Sequence, residues 1–383
     1  MTGVAKIMLL TAQYTGRGHM SIAEALSEQF ARMDGIALDV VDGFIFLGEG
    51  GVKSSKIYNV VTQRARFVWK AVFKATQGGD FVPETMALLV KKRLDAYLRE
   101  TNPDIIVSVH PMFVGAVIDT LETFGLAIPV VAVEADLVNI HSTWCDSRVT
   151  RAICPTREAF DCSVALGMPE EKLKIIGFPT RGAFVEAARR MGERTYEASR
   201  PLQCLMTGGG GGAGDIEGYA TSLLKDTDAR LTIICGSNEK LRMRLVEKFG
   251  DRYAGRVRIL GFVTDMAAEY EKADVAISRA SPNCMFEAIV MAVPMVITGA
   301  LPGQEKDNPN FAARHRLGIL CEEPSDMAAR IDDLTRDDGR LWREIQRAQM
   351  DYRDLDSAQK IAEYVRGMLD ARVTEPQEAV YGG

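Results

Sequence analysis

Short apolar runs alternate with longer amphipathic segments along most of this chain, and that rhythm limits its fold more than any other feature. AKIMLLTA precedes a helix expected from about Ser21, and ALDVVD, DIIVSVH, PVVAVEAD, RAICPT and LKIIGF follow. Runs of this kind, separated by helical stretches, build a parallel sheet covered by helices on both faces. A second set starts at LQCLMTGGG and continues through RLTIICG, RVRILGF, DVAISRA, VPMVITG and LGILCE. The fold class is therefore α/β, with two doubly wound, Rossmann-like sheets in tandem. Between the sets, Arg189 to Pro201 is charged, weakly apolar and closed by a proline, which puts the boundary near residue 198. We expect an N-terminal domain over 1–198, a second domain over 199–345 and a terminal helix over 346–372, followed by a frayed tail.

Composition agrees with two ordinary cores. The 383 residues are 47% hydrophobic and 26% charged, which excludes disordered, collagen-like and disulfide-stapled classes. A formal charge of −6 removes the broad attraction that nucleic-acid binding draws on, so no nucleic acid is expected as a partner. Seven cysteines fall at irregular spacings without a CxxC pair, which fits a reduced, cytoplasmic setting. The opening MTGVAKIMLLTAQ reads as a first strand and not as a signal peptide. The uncharged stretch from Ala288 to Gln304 is broken by Pro294, Gly299, Pro302 and Gly303, short of the ~20 apolar residues a membrane helix needs.

In parallel sheets the ligand crevice lies beyond the carboxyl ends of the strands, so the residues after each apolar run carry the interest. Thr15 to His19 (TGRGH) joins the first strand to a helix; glycines there let a backbone approach a ligand, and His19 sits where a general base reaches a bound hydroxyl. A glycine-containing turn with an exposed histidine fits the same residues. Gly208 to Gly214 follows LQCLMT and lacks the lysine of a P-loop, so it suits a phosphate or sugar without implying an ATPase; a flexible turn is the alternative. Ser281 and Pro282 suit the N-cap and first position of a helix whose positive end meets the crevice, with Glu287 able to accept from ribose hydroxyls or to be merely solvated. In the loop after VPMVITG, Gln304, Glu305 and Asn308 match the hydroxyls of a sugar ring as well as they match an ordinary polar surface. His110, Asp136 and His141 fall at or just beyond strand ends, without the HxH or HxxxH spacing that would supply a metal from one element; catalytic or acceptor-side roles are open to them, and for His141 a structural hydrogen bond equally.

Residues 50–79 are basic within an acidic protein. Read as a helix, Arg66, Lys70 and Lys74 form one row with Trp69 and Phe73 beside it, opposite an apolar face of Ile57, Val61, Ala65, Val68 and Val72. Such a helix fits the surface of an anionic bilayer, and fits equally a helix packed on its own domain.

The order of these segments resembles one glycosyltransferase family, that of the plant monogalactosyldiacylglycerol synthases and the bacterial processive diacylglycerol glucosyltransferases, grouped as GT28-like. The matching pieces include TGRGHMSIAEAL, FVWKAVF, PDIIVSVHP, ADLVNIHSTW, KIIGFPTRGAF, MTGGGGGAG, GFVTDM and EAIVMAVPMVITGALPGQEKDN, spanning about residues 6 to 325. The resemblance implies GT-B architecture, two Rossmann-like domains facing across a cleft, the first for the acceptor and the second for the donor, with the terminal helix crossing back. It implies inverting transfer of glucose or galactose from a UDP-sugar to a diacylglycerol-like hydroxyl by an enzyme peripheral to the membrane. No cofactor beyond that donor is expected, and no metal is strictly required. By the same resemblance Phe262 and Val263 lie near the uracil, Glu287 on the ribose, Ser281, Asn283, Cys284 and Met285 with Gly209, Gly210 and Gly211 near the phosphates, and Gln304 and Glu305 on the sugar. His19 is the expected base, with Asp136 the other candidate, and Arg17, Gly18, His110 and His141 are expected on the acceptor side. Arg17 and the stretch SRASPNCMFEA depart from the family's glycines, and Ser142 from its proline. A soluble glycosyltransferase for a small acceptor and a UDP-sugar 2-epimerase are the rival readings.

Overall fold

A computed structural model describes residues 4–13, 17–48, 84–209 and 215–374. The first sheet contains β1 (Ala5–Thr11), β2 (Ile36–Asp42), β3 (Ile105–Ser108), β4 (Val130–Val133), β5 (Arg151–Cys154) and β6 (Leu173–Ile175), in the order β2-β1-β3-β4-β5-β6. Every neighbouring pair is parallel. The crossovers and flanks are α1 (Arg17–Phe30), α2 (Glu84–Thr101), α3 (Pro111–Phe124), α4 (Arg157–Ala165) and α5 (Gly182–Met191). Helices on both faces explain why β3 and β4 are buried at every position and carry no alternation.

The second sheet repeats the plan. Strands β7 (Gln203–Thr207), β8 (Arg230–Ile234), β9 (Val257–Leu260), β10 (Val275–Ser278), β11 (Met295–Ile297) and β12 (Gly318–Leu320) run parallel in the order β12-β11-β10-β7-β8-β9. Its helices are α6 (Ile216–Asp226), α7 (Glu239–Phe249), α8 (Met266–Glu271), α9 (Pro282–Val290), α10 (Asn308–Arg314) and α11 (Met327–Tyr352). Strand order reverses between β1 and β3 in the first sheet and between β7 and β10 in the second. A ligand crevice opens beyond the carboxyl ends at such reversals, because the flanking loops part to opposite faces.

Two elements differ from the sequence reading. The first helix begins at Arg17 and not near Ser21, because His19 in its opening turn is bonded to Val109 beyond β3, a tertiary contact that local propensity does not report. The terminal helix expected over 346–372 is divided: α11 ends at Tyr352, Arg353 is extended (φ −66°, ψ 137°), and α12 (Ser357–Thr374) follows. That last helix packs on the first domain. Ile361 and Val365 are wholly buried, Lys174 lies 4.7 Å from the Tyr364 ring, and Arg366 donates to the Asp34 carbonyl at 2.8 Å.

The linker between α5 and β7 is already committed to the second domain at Arg194, whose guanidinium donates to the carbonyls of Tyr270 (2.7 Å) and Ala273 (2.8 Å). The domains also meet directly, with Phe178 stacked on Phe286 at 4.6 Å and Glu158 set 2.8 Å from His315.

Candidate active site

The reversal in the first sheet brings two histidines together. The Nδ1 of His19 lies 2.7 Å from the carbonyl oxygen of Val109. A carbonyl only accepts, so Nδ1 carries the proton and Nε2 is left as a basic nitrogen. Burial lowers the pKa of His19 to about 4 although the bond to Val109 works against it, so the ring is neutral at pH 7. The His110 ring sits 4.3 Å from it, centroid to centroid. His110 caps α3, its Nδ1 accepting from the Met112 amide at 3.3 Å; burial first, and then the proximity of His19, keep it uncharged.

Asp136 lies beyond β4 and is 7% exposed. Its Oδ2 accepts from Trp144 Nε1 at 3.0 Å. Burial pushes this carboxyl up to about 7; the Trp144 bond opposes the shift, and the Glu305 carboxylate of the second domain adds to it. His141 caps the 3-10 turn Ser142–Trp144, its Nδ1 accepting from the Thr143 amide at 3.2 Å, and so sets the position of the tryptophan that holds Asp136.

The second sheet supplies the facing wall. Ser281 occupies the N-cap position of α9 with Pro282 next, as the sequence indicates, but its hydroxyl makes no capping bond to the helix. Asn283 reaches the first domain there, since a Cβ on Gly18 would lie 3.1 Å from its Nδ2. The opening turns of α1 and α9 thus abut, and two positive helix ends converge. Cys284 and Met285 are buried in the same turn, and burial holds the Cys284 thiol protonated with its pKa near 12.

Glu287 is not a solvated helix residue. It is 8% exposed and accepts from Arg181 Nη2 at 2.8 Å across the domain boundary. Burial raises its pKa while the arginine pulls it down. Glu305 is buried as well, accepting from the Leu301 amide at 2.8 Å and from Arg279 Nη1 at 3.3 Å. Gln304 and Val263 are half-buried, whereas Phe262 is exposed on the rim. Gly209 takes a left-handed φ of 72° and donates its amide to Thr207 Oγ1 at 3.1 Å. Gly210, Gly211 and the basic segment with Arg66, Trp69, Lys70, Phe73 and Lys74 lie outside the described residues, as does the side chain of Arg17.

The structure adds three residues that the sequence reading did not single out. Arg181, Arg279 and Trp144 hold Glu287, Glu305 and Asp136 respectively. Each follows a strand by a few residues or lies in a segment quoted for the family resemblance, and that position was the available signal. Among the described residues no group of three or more His, Cys, Asp or Glu side chains forms a metal site, and no helix is long and apolar enough to cross a membrane.

Known proteins share this fold and much of this pattern of sequence. The monogalactosyldiacylglycerol (MGDG) synthase family model matches residues 19–180, and that of glycosyl transferases group 1 matches residues 219–337. The probable monogalactosyldiacylglycerol synthase 2 of Oryza sativa subsp. indica is 29% identical over 350 residues, covering 86% of this chain and 74% of its own length. The processive diacylglycerol beta-glucosyltransferase of Bacillus mycoides is 24% identical over 345 residues, covering 88% of this chain and 87% of its own. Acinetobacter baumannii MurG superposes with a TM-score of 0.65 at 16% identity, over 95% of this chain and 100% of that one. The S. aureus MnaA-UDP co-structure also gives 0.65, at 13% identity, over 98% and 100%. Two facing Rossmann-like domains with a shared cleft give this chain GT-B architecture, and its matches to glycosyltransferase family models and curated glycosyltransferases supply the activity class. Residues 19–180 match the MGDG synthase family model, and the chain as a whole is similar to MGDG synthases and processive diacylglycerol glucosyltransferases, as the motifs indicated.

Proposed function

We propose that this protein is an inverting glycosyltransferase that moves glucose or galactose from a UDP-sugar to the hydroxyl of a diacylglycerol-like lipid at the cytoplasmic surface of a membrane. One observation carries the reading: the first turns of α1 and α9 meet at Gly18 and Asn283, one residue from the neutral imidazole of His19. A nucleophile, a base and an anionic leaving group require such a place. The acceptor oxygen attacks the anomeric carbon from the face opposite the diphosphate, its proton passes to His19 Nε2, and the bond to the diphosphate breaks. The charge that leaves is met by the two helix ends, so the reading asks for no metal.

In this proposal Phe262 and Val263 flank the uracil, and Glu287, paired with Arg181, accepts from the ribose. Ser281 to Met285 and Gly209 to Gly211 surround the phosphates, and Gln304 and Glu305 reach the sugar. Asp136 is the second candidate for the acceptor proton. Arg17, Gly18, His110 and His141 line the acceptor side, and Arg66, Trp69, Lys70, Phe73 and Lys74 rest on anionic lipid. The names of the two relatives above supply the lipid class, and that of MnaA the nucleotide.

The test is incubation of the purified protein with a panel of UDP-sugars, with and without diacylglycerol vesicles, following UDP release and the anomeric configuration of the product. The proposal expects release that depends on vesicles and a β-linked glycolipid from an α-linked donor. Transfer to small acceptors alone would make it a soluble glycosyltransferase, and sugar isomers formed without an acceptor would make it an epimerase.

A further inference from the structure

At the opposite end of the second sheet from the cleft lies a cavity of about 400 Å3, and its lining follows from strand alternation. In β8, Leu231 and Ile233 are buried in the core while Arg230 and Thr232 point to the other face. In β9, Val257 and Ile259 pack on that core while Arg258, in register with Thr232, points away from it. Gln203 of β7 is in register with Arg230, so one face of the sheet carries a block of polar residues at its amino edge. The element over this face between β9 and β10 is α8, only six residues long. A helix of about 9 Å cannot roof the sheet to its lower edge, and the cavity is what it leaves uncovered.

The charge in this cavity is unbalanced. Arg230, Arg256, Arg258 and Lys272 line it together with one carboxylate, Glu269. Glu269 accepts from Arg258 Nη1 at 3.1 Å and from Lys272 Nζ at 2.8 Å. The Nη2 of Arg256 donates only to the neutral carbonyls of Thr227 (2.6 Å) and Ala229 (3.1 Å), and its Nε is buried with no partner. Arg230 is exposed, and neither it nor Arg256 makes an ion pair among the described residues. Arg258 and Lys272 share Glu269, while Arg230 and Arg256 have no carboxylate partner among the described residues, so the cavity carries an excess of positive charge that an anion would balance.

We infer that this cavity binds a phosphate-bearing anion. A guanidinium fork matches two phosphate oxygens at once, Arg230 has no ion pair holding its fork, and the Thr232 hydroxyl and the second N–H of the Gln203 amide, whose other N–H donates to the Pro201 carbonyl at 3.1 Å, are neutral donors beside it. The volume admits a phosphate ester with a small organic group. The site is separate from the cleft, which lies at the carboxyl ends of the same strands, about 13 Å away along β7. It does not depend on the donor or acceptor proposed above.

Calorimetric titration of the full chain with inorganic phosphate and with glycerol 3-phosphate, at fixed ionic strength and with UDP saturating, tests the inference. The wild type should bind both more tightly than chloride. Arg230→Gln, a change at an exposed and unpaired side chain, should weaken binding about tenfold, as loss of a charged hydrogen bond does. Arg230→Gln/Arg258→Gln should abolish it, with UDP affinity and basal transfer unchanged in both variants. Sedimentation with phosphatidylglycerol vesicles gives the second arm. Retention that Arg230→Gln removes, without a response to soluble phosphate, assigns the anion to a lipid headgroup, and a response to the soluble esters assigns it to a free metabolite. Phosphate binding no tighter than chloride, with vesicle retention indifferent to Arg230→Gln, would overturn the site.

Discussion

His19 is unprotonated at neutral pH whereas Asp136 titrates close to it, and each leads to a measurable consequence. His19, lowered to about 4, stays an unprotonated base over the whole neutral range. His19→Gln preserves a donor toward Val109 and removes the basic nitrogen, so kcat should fall by about 10²–10⁴ while calorimetry finds UDP affinity intact. Asp136 is raised from its ordinary 3.8 to about 7, so the folded chain holds this proton more tightly than the unfolded chain does. Its ionisation therefore opposes folding, fully above pH 7 and not at all below pH 4. Asp136→Asn keeps an acceptor for Trp144 and should stabilise the protein at pH 8, by on the order of 4 kcal/mol at most, with the gain disappearing toward pH 4. Thermal unfolding of both proteins across that range gives the answer, and equal stability at pH 8 would contradict the assignment. His19 was legible because it follows a glycine turn after a strand. Its tautomer was not, because the acceptor Val109 stands 90 residues away.

At the scale of elements, apolar runs made all twelve strands legible, most plainly the central ones such as β3 and β4, since a strand covered on both faces has little choice of residue. Helix ends were harder to read. In α11 the chain leaves helical geometry at Arg336, and Asp337, Asp338 and Gly339 take left-handed φ values of 54°, 57° and 71°. Asp338-Gly339 is a turn signal in sequence, and the helix expected over 346–372 starts beyond it. Packing from the linker meets this turn as well: a Cβ on Gly339 would lie 2.5 Å from the Tyr196 ring, and that ring packs against Trp342. Gly339→Ala combines backbone strain with this clash. It should cost at least about 1 kcal/mol, read as a lower urea midpoint at unchanged slope. An unchanged midpoint would show that the linker does not fix this turn.

Over the whole molecule, the site is assembled by pairs that sequence reading cannot align. Arg181 meets Glu287 from 106 residues away, and His315 meets Glu158 from 157. The segments on each side were visible in the sequence, and their mutual placement was not, because it depends on how two sheets of similar plan turn their carboxyl ends toward each other. The acid pair Asp136 and Glu305 belongs to that placement, as does the contact of Gly18 with Asn283. In the proposed function these contacts divide the work between a back half that grips the donor and a front half that handles the acceptor proton. UDP affinity, measured by calorimetry alongside transfer rates for the wild type, Glu287→Ala and His19→Gln, tests that division most directly. The account predicts UDP binding weakened about tenfold or more in Glu287→Ala, as loss of charged hydrogen bonds implies, and wild-type binding with suppressed transfer in His19→Gln. Equal UDP affinity in all three proteins would contradict it.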